Sequence, residues 1–326
     1  GRDVHPDLAA LAGVEIVDTG WSSELTGAVA RLAWEQRELG AVLARVRPRL
    51  FHATWNHGIP VFCPCPAVLT LHDLLPLQTP GQFGDRSQRL AFLASQYAAL
   101  WRARRILAVS GATRDAVRRF ARPALAKTDV IHEGVEARFA PAPETTEPRH
   151  VLYVGGREAR KNIAALLAAF GRADPPLKLR LTGSATSLLS RDAAALAALP
   201  AAIRARVEFL GVVPEVDMPD LYRSAAMLLF PSRGEGFGFP PLEAMACGTP
   251  VVTTRAGSIP EIAGDAALYV DPDDAAAIAA AIATLLGDPA LRARLVEKGL
   301  ARAAALTWSR CVAATSDAYR AILARG

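Results

Sequence analysis

Cysteine is scarce: Cys63, Cys65, Cys247 and Cys311 are the four in 326 residues. So few thiols argue against a disulfide scaffold and for a reduced, cytoplasmic setting. Long apolar runs are missing too. The longest, such as "MLLFP" and "AAAIAAAIATLL", are too short or too alanine-rich for a membrane span of about 20 residues. The opening "GRDVHPD" has neither the cationic nor the apolar region of a secretory signal. The arginines come with no aromatic stacking pattern or binding motif, which argues against a nucleic-acid partner.

What is present is a globular composition. Hydrophobic residues make up 51% of the chain, with 24 glycines and 23 prolines spread along it, the profile of about two domains. The basic excess is modest, +5, and uneven. Residues 1–140 hold 17 Lys and Arg against 13 Asp and Glu, the remainder 20 against 19. The excess gathers in "RVRPR" (45–49), "WRARR" (101–105) and "RRFAR" (118–122). Such runs are solvated helix faces or a docking surface for anionic lipid or a phosphorylated acceptor. The stretch 86–105 has an apolar face and cationic ends, which suits a core helix or one lying on a membrane surface.

Short β-branched or leucine-rich runs alternate with helix-length segments rich in Ala, Leu and Arg. "AVLTLHD", "RILAVS" and "TDVIHEG" predict parallel strands in the first half. "EARFAPAPETTEPRH" (136–150), with three prolines and no periodicity, reads as an interdomain linker. Beyond it the alternation restarts with "HVLYVGG", "LKLRLTGS", "VEFLGVV", "MLLFPS", "TPVVTT" and "AALYV", six strands of a second doubly wound domain. From 273 onward the chain reads as helical, broken near Gly287–Pro289 and at "TWS" (307–309). The boundaries are then 1–138 for the first domain and 139–307 for the second, with a last helix over 308–326.

In such sheets ligands bind beyond the carboxyl ends of strands. After "VLYVGG" come Arg157, Arg160 and Lys161, cations at a helix start that suit a diphosphate or are ordinary surface arginines. After "MLLFPS" comes "RGEGFGFPPLEAMACG". Gly236 and Gly238 there allow close approach to the backbone, and Pro240 and Pro241 suit a first helical turn. Glu235 precedes that helix and Glu243 lies near its start. A retaining glycosidase needs two carboxyl groups about 5 Å apart across one bond. A loop glutamate and a helix glutamate around a glycine cradle do not suggest that arrangement.

This stretch resembles the signature of the retaining glycosyltransferases of family 4, a glutamate followed after seven residues by a second. "LYVGGREARKN", "FLGVV", "GSIPEIAGDAALYVDPDD", "WEQ" (34–36), "FHATWN", "LTLHDLLPL", "ILAVSGATRD" and "IHEGVEARFAP" agree with a mannosyltransferase-like branch. The resemblance implies an α/β GT-B fold: two Rossmann-like domains facing across a cleft, the first incomplete at its start and completed by the returning C-terminal helix 308–326. It implies hexose transfer from a nucleotide-diphosphate sugar to a saccharide or lipid-linked acceptor, without cofactor or metal.

Its residues carry over as follows. Arg157 and Lys161 would hold the diphosphate, and Glu243 the ribose. Val212 and Val213 would border the base. Glu235 would face the sugar together with the backbone amides of Gly236, Phe237 and Gly238. His72 would reach the sugar, with Asp73 setting its position. Glu235 stays ambiguous, because a carboxylate near the anomeric carbon also stabilises positive charge without covalent attack. Gly156 stands where relatives often carry arginine, leaving Arg157 as the substitute. The start of the chain resembles the region after a second strand. Roughly 40 residues, about the opening half of a βαβ unit and its next strand, are therefore expected to be missing. That expectation keeps a binding-only remnant open as an alternative, with a sugar-nucleotide epimerase of the same fold as a weaker one. The implied location is cytoplasmic, with peripheral contact at the inner membrane face left open. "FCPCP" near His52, His57 and His72 could suggest zinc, but C-x-C spacing is poor for a structural site, and no metal is assigned.

Overall fold

The computed structural model describes residues 28–78, 86–141 and 150–324. The expectation drawn from residues 1–18, and most of the linker reading, lie outside them. The described residues fall into two compact units. One takes those of 1–109, 113–131 and 314–326, and the other 110–112 and 132–313.

The first unit begins with α1 (Ala28–Trp34), a π-helical segment (Glu35–Leu39) and α2 (Gly40–Val46). Then follow β1 (Phe51–Ala53), β2 (Ala67–Leu71), α3 (Leu75–Gln78), α4 (Arg86–Arg102), β3 (Arg105–Ala108), α5 (Gly111–Phe120) and β4 (Thr128–Val130). The four strands pair in parallel in the order β1-β2-β3-β4. β2, β3 and β4 lie within the three predicted runs. β1 was not predicted, because three residues on a sheet edge carry too little pattern. The core on one face gathers Ile59, Leu69, Leu71, Leu100, Ile106 and Val117. On the other face Val68 and Leu107 pack with Ile322 and Tyr319.

The second unit runs β5 (His150–Tyr153), α6 (Ile163–Ala173), β6 (Lys178–Leu181), α7 (Ser190–Ala197), α8 (Ala201–Arg204), β7 (Val207–Phe209), α9 (Met218–Arg223), β8 (Ala225–Phe230), α10 (Phe239–Ala246), β9 (Val251–Thr253), α11 (Ile259–Ala263), β10 (Ala267–Tyr269), α12 (Ala275–Gly287) and α13 (Pro289–Ala305). α14 (Trp308–Leu323) follows. All six predicted strands are present, parallel, in the order β10-β9-β8-β5-β6-β7. Helices cover both faces of such a sheet, so its central strands are apolar throughout. Every residue of β5 and β8 is buried. α6 contributes Leu166, Leu167 and Phe170 to the core, and α12 contributes Ile278, Ile282 and Leu285. Each such side chain is worth about 1.5–3 kcal/mol of burial. Asp274 caps α12 by accepting from Ala276 and Ala277 N–H, and Asp288 caps α13 through Leu291 N–H.

The topology also locates a site. Strand order reverses between β5 and β8, which pair directly through Val151 with Met227 and Leu152 with Leu228. Connections from these two strands leave in opposite directions and open a crevice at their carboxyl ends. The segments that follow them are 154–162 and 231–238.

Candidate functional site

The loop after β8 is folded around one carboxylate. Glu235 is 8% exposed. Its Oε1 accepts from Lys161 Nζ at 2.8 Å and from Ser232 Oγ at 2.6 Å, and its Oε2 pairs with Arg160 Nη1 at 2.7 Å. Arg160 Nη1 also donates to Gly234 O, and Arg233 N–H donates back to Arg160 O. A buried carboxylate must have its lone pairs satisfied, and here two cations and a hydroxyl do so. The short 3₁₀ turn Ala159–Lys161 ends at Asn162, whose φ is +59°. Asn162 Nδ2 donates to Pro231 O and Pro272 O, tying the segment after β5 to the loop after β8.

From the other side α11 grips the same loop. Ser258 Oγ donates to Glu235 O and Phe237 O, and Ser258 N–H to Glu235 O. Gly257, at φ +60°, passes so close that a Cβ would lie 2.4 Å from Glu235 O. Any side chain there would displace the loop. Gly238, at φ +109°, is the N-cap of α10, with Pro240 and Pro241 in its first turn. Gly236 O accepts from Ser110 Oγ, and the Phe237 ring is buried 5.1 Å from that of Phe239.

Glu243 lies in the second turn of α10. It is partly buried, and its Oε2 accepts from the fully buried Tyr222 at 2.7 Å. Burial pushes its carboxyl above the usual range, and the Tyr222 hydrogen bond only partly opposes this.

Arg157 has a different kind of environment. Its Nη2 donates to Thr182 O at 2.6 Å and its guanidinium stands 5.5 Å from the Phe209 ring centroid. Its Nε and Nη1 are buried with no hydrogen-bond partner among the described residues. Burial holds this guanidinium below the usual arginine range. Two orphaned charged donors at a strand end are costly unless an anion meets them. Val212 is 96% exposed, just after Gly211 at φ +68°, and Val213 is partly buried.

His72, in the first unit, directly follows β2. Its N–H donates to Asn56 Oδ1 at 2.6 Å, its Nε2 bonds Thr54 O at 2.9 Å, and its ring lies 5.5 Å from that of Trp55. Asp73 Oδ1 accepts from Leu75 N–H at the start of α3. Cys63 and Cys65 are buried with their sulfurs 3.9 Å apart, and among the described residues no three His, Cys, Asp or Glu side chains form a metal-holding group. Cys247, also buried, caps the C-terminus of α10.

The second unit thus brings Lys161 and Glu235 together, with the backbone of Gly236, Phe237 and Gly238 adjoining. Several partners escaped sequence reasoning. The sequence offers Arg160 only as one of three cations, and Ser232, Tyr222 and Ser258 carry no signal of their own. "AGSIP" held the one available hint, a glycine before a helix start. Glu261, in the same helix, accepts from His132 Nε2 at 2.6 Å and from Gly111 N–H. Burial raises its carboxyl, but these donors outweigh it and hold the group below the usual range.

Comparison with known proteins adds lineage to this geometry. The family model described as "Glycosyl transferases group 1" matches residues 135–302, and that described as "Glycosyltransferase Family 4" matches 12–139. The chain is 38% identical over 173 residues to O-antigen chain mannosyltransferase B of Escherichia coli, spanning 52% of this chain and 45% of that protein. It is 27% identical over 277 residues to the serotype-specific mannosyltransferase WbdA of Escherichia coli, spanning 80% of this chain and 34% of that one. It therefore spans about half or less of the length of these curated relatives. Sucrose-phosphate synthase from Thermosynechococcus elongatus superposes with a TM-score of 0.75 at 26% identity, over 90% of this chain and 79% of its own.

Proposed function

The chain belongs to the family of glycosyl transferases group 1, and from that premise we propose that it moves a hexose from a nucleotide-diphosphate sugar to a saccharide or lipid-linked acceptor. Mannose is the hexose we favour, given the names of the relatives. The observation that carries this reading is Arg157, whose two orphaned donors at the carboxyl edge of the sheet call for an anion.

In this reading the diphosphate takes up the Arg157 donors, and the buried Lys161 and partly exposed Arg160 add positive charge beside it. Negative charge grows on the diphosphate as the bond to the anomeric carbon breaks, and fixed cations stabilise that change with little reorganisation. Neutralisation rests on these cations rather than on a metal ion. Glu243 accepts from the ribose hydroxyls and Val212 and Val213 border the base, and for His72 we keep the sugar-contacting role that the family resemblance implies. Glu235 has both oxygens engaged by cations and a hydroxyl, which makes it a poor nucleophile. It stabilises positive charge at the anomeric carbon and orders the loop whose amides border the sugar. The acceptor hydroxyl then attacks from the face that the diphosphate leaves. The new carbon–oxygen bond forms as the old one breaks, and the hydroxyl proton passes to the departing diphosphate. Configuration is retained. A peripheral membrane contact through the first unit is part of this proposal; among the described residues no single helix is long and apolar enough to cross a membrane.

Arg157→Met provides the test. Loss of charge-assisted hydrogen bonds should weaken nucleotide-diphosphate binding by about 2 kcal/mol, with binding of the nucleoside unchanged. Because two of the guanidinium's donors are unsatisfied without ligand, thermal stability should hold or rise. Calorimetric titration showing equal diphosphate affinity for variant and parent would overturn the assignment.

A further inference from the structure

At the amino ends of the first unit's strands, opposite to where His72 sits along β2, lies a basic concavity of about 730 Å³. Arg102, Arg104, Arg105 and Lys127 line it, with the end of α14 forming one side. Their charges are poorly compensated. Arg105 pairs with Asp129 at 3.0 Å. Arg102 donates to the carbonyls of Val61 and Cys63, and Lys127 to those of Trp101 and Ala103. These neutral acceptors satisfy hydrogen bonds and leave the positive charge in place. Arg104 is exposed and has no ion-pair partner among the described residues. Burial, and then the nearby Arg102 guanidinium, hold the Lys127 ammonium below the usual lysine range.

A second feature adjoins the first. An apolar groove of about 310 Å³ runs between Tyr97, Leu100, Phe120 and Pro123, and shares Trp101 and Lys127 with the basic concavity. Trp101 is 71% exposed. Phe62, 92% exposed, is flanked by the two residues whose carbonyls Arg102 holds. Two large aromatics stand in water beside a cluster of cations, and an apolar groove opens next to them. A soluble phosphate would account for the cations alone. A lipid surface accounts for all of it: headgroup phosphate meets the cations, the aromatic rings sit at headgroup level, and acyl carbon enters the groove.

We propose that this face of the first unit, built from Arg102, Arg104, Lys127, Trp101 and Phe62, docks on a membrane by binding the phosphate of an anionic phospholipid. It specifies the membrane contact proposed above and rests on that reading for the partner only, since none of its residues belongs to the donor site.

Vesicles of phosphatidylcholine, with and without phosphatidylglycerol, test it by co-sedimentation of the whole chain. The parent should partition onto the anionic vesicles and stay in solution with the neutral ones. Arg104→Glu reverses an exposed charge and should lower that partition at least about tenfold. The pair Phe62→Ser with Trp101→Ser, also exposed, should lower it independently. Both variants should keep the parent's thermal unfolding and nucleotide-diphosphate binding, so a failure here is distinguishable from a failure of the transferase reading. Equal partition of parent and Arg104→Glu would overturn the proposal, as would a parent that ignores phosphatidylglycerol. A parent stabilised by inorganic pyrophosphate through Arg104 while leaving vesicles alone would overturn it too, in favour of a soluble phosphate ligand.

Discussion

Two glutamates eight positions apart occupy opposite environments. Glu235, on the loop after β8, is surrounded by Lys161, Arg160 and Ser232 and has both oxygens satisfied by charge-assisted or hydroxyl donors. Glu243, in the second turn of α10, meets one phenol in a desolvated niche, and its carboxyl is pushed up. One site is built to hold negative charge and the other resists it. The difference follows from architecture. A loop that closes between two strand ends can collect side chains from both, whereas a helical position sees only what packs on its face.

The largest expected effect tests whether this contrast is catalytic. Glu235→Ala should lower kcat about 10²- to 10³-fold with a smaller effect on donor KM, because its charge matters most as the anomeric carbon becomes positive. Glu243→Ala should chiefly raise donor KM, since a ribose contact is about equally strong in ground and transition states. Steady-state kinetics with a defined acceptor separates the two. If both substitutions moved the same constant, the contrast would have no functional meaning. Azide offers a sharper break: rescue of Glu235→Ala with a glycosyl azide of inverted configuration would establish covalent catalysis and remove the cradle reading.

How much of this could be read beforehand differs between the strands and the site. The six strands of the second unit are legible because a doubly covered parallel sheet demands short apolar runs between turns, wholly apolar at its centre as in "AAMLLF" and interrupted by charge toward its edge as in "KLRL" and "VEF". β1 was not, since "FHA" has neither length nor alternation. Glycine spacing and paired prolines located the loop and the start of α10, because those residue types are tied to backbone geometry. The caging of Glu235 was not legible. Lys161 and Glu235 are 74 positions apart, and nothing in "REARKN" distinguishes a cation that turns inward from one that faces solvent. Tyr222 was equally silent, one aromatic in a helix that any core could use.

An intermediate effect sharpens the comparison on the Glu235 side. Lys161 and Glu235 are both buried, so removing one partner leaves an uncompensated charge, at about 3 kcal/mol or more. Removing both should cost less than the sum. A double-mutant cycle of Lys161→Met and Glu235→Gln, followed by urea unfolding, should show a coupling of about 2 kcal/mol. Arg160 should keep part of the effect in each single variant. Additive losses would mean that the two groups do not act as a pair and that the cage is only a juxtaposition of neighbours.

The smallest effect concerns the sign of the charge preference at Glu243. Its folded carboxyl is raised above the unfolded value, first by burial and then by nearby acids, against the Tyr222 hydrogen bond. The folded state therefore binds the proton more tightly than the unfolded chain does. Stability from protonated Glu243 is fully present below the unfolded value and is lost as pH rises through the folded value. Glu243→Gln keeps an acceptor for Tyr222 but cannot ionise, so it should escape that loss. Its advantage over the parent in urea midpoint should grow from acid toward neutral pH. Glu235→Gln should go the other way at neutral pH, since Lys161 and Arg160 then face no negative charge. The same substitution would thus stabilise at one glutamate and destabilise at the other. A Glu243→Gln variant less stable than the parent at neutral pH, as Glu235→Gln is expected to be, would show that α10 holds its carboxylate as tightly as the loop does, and the contrast between the two environments would collapse.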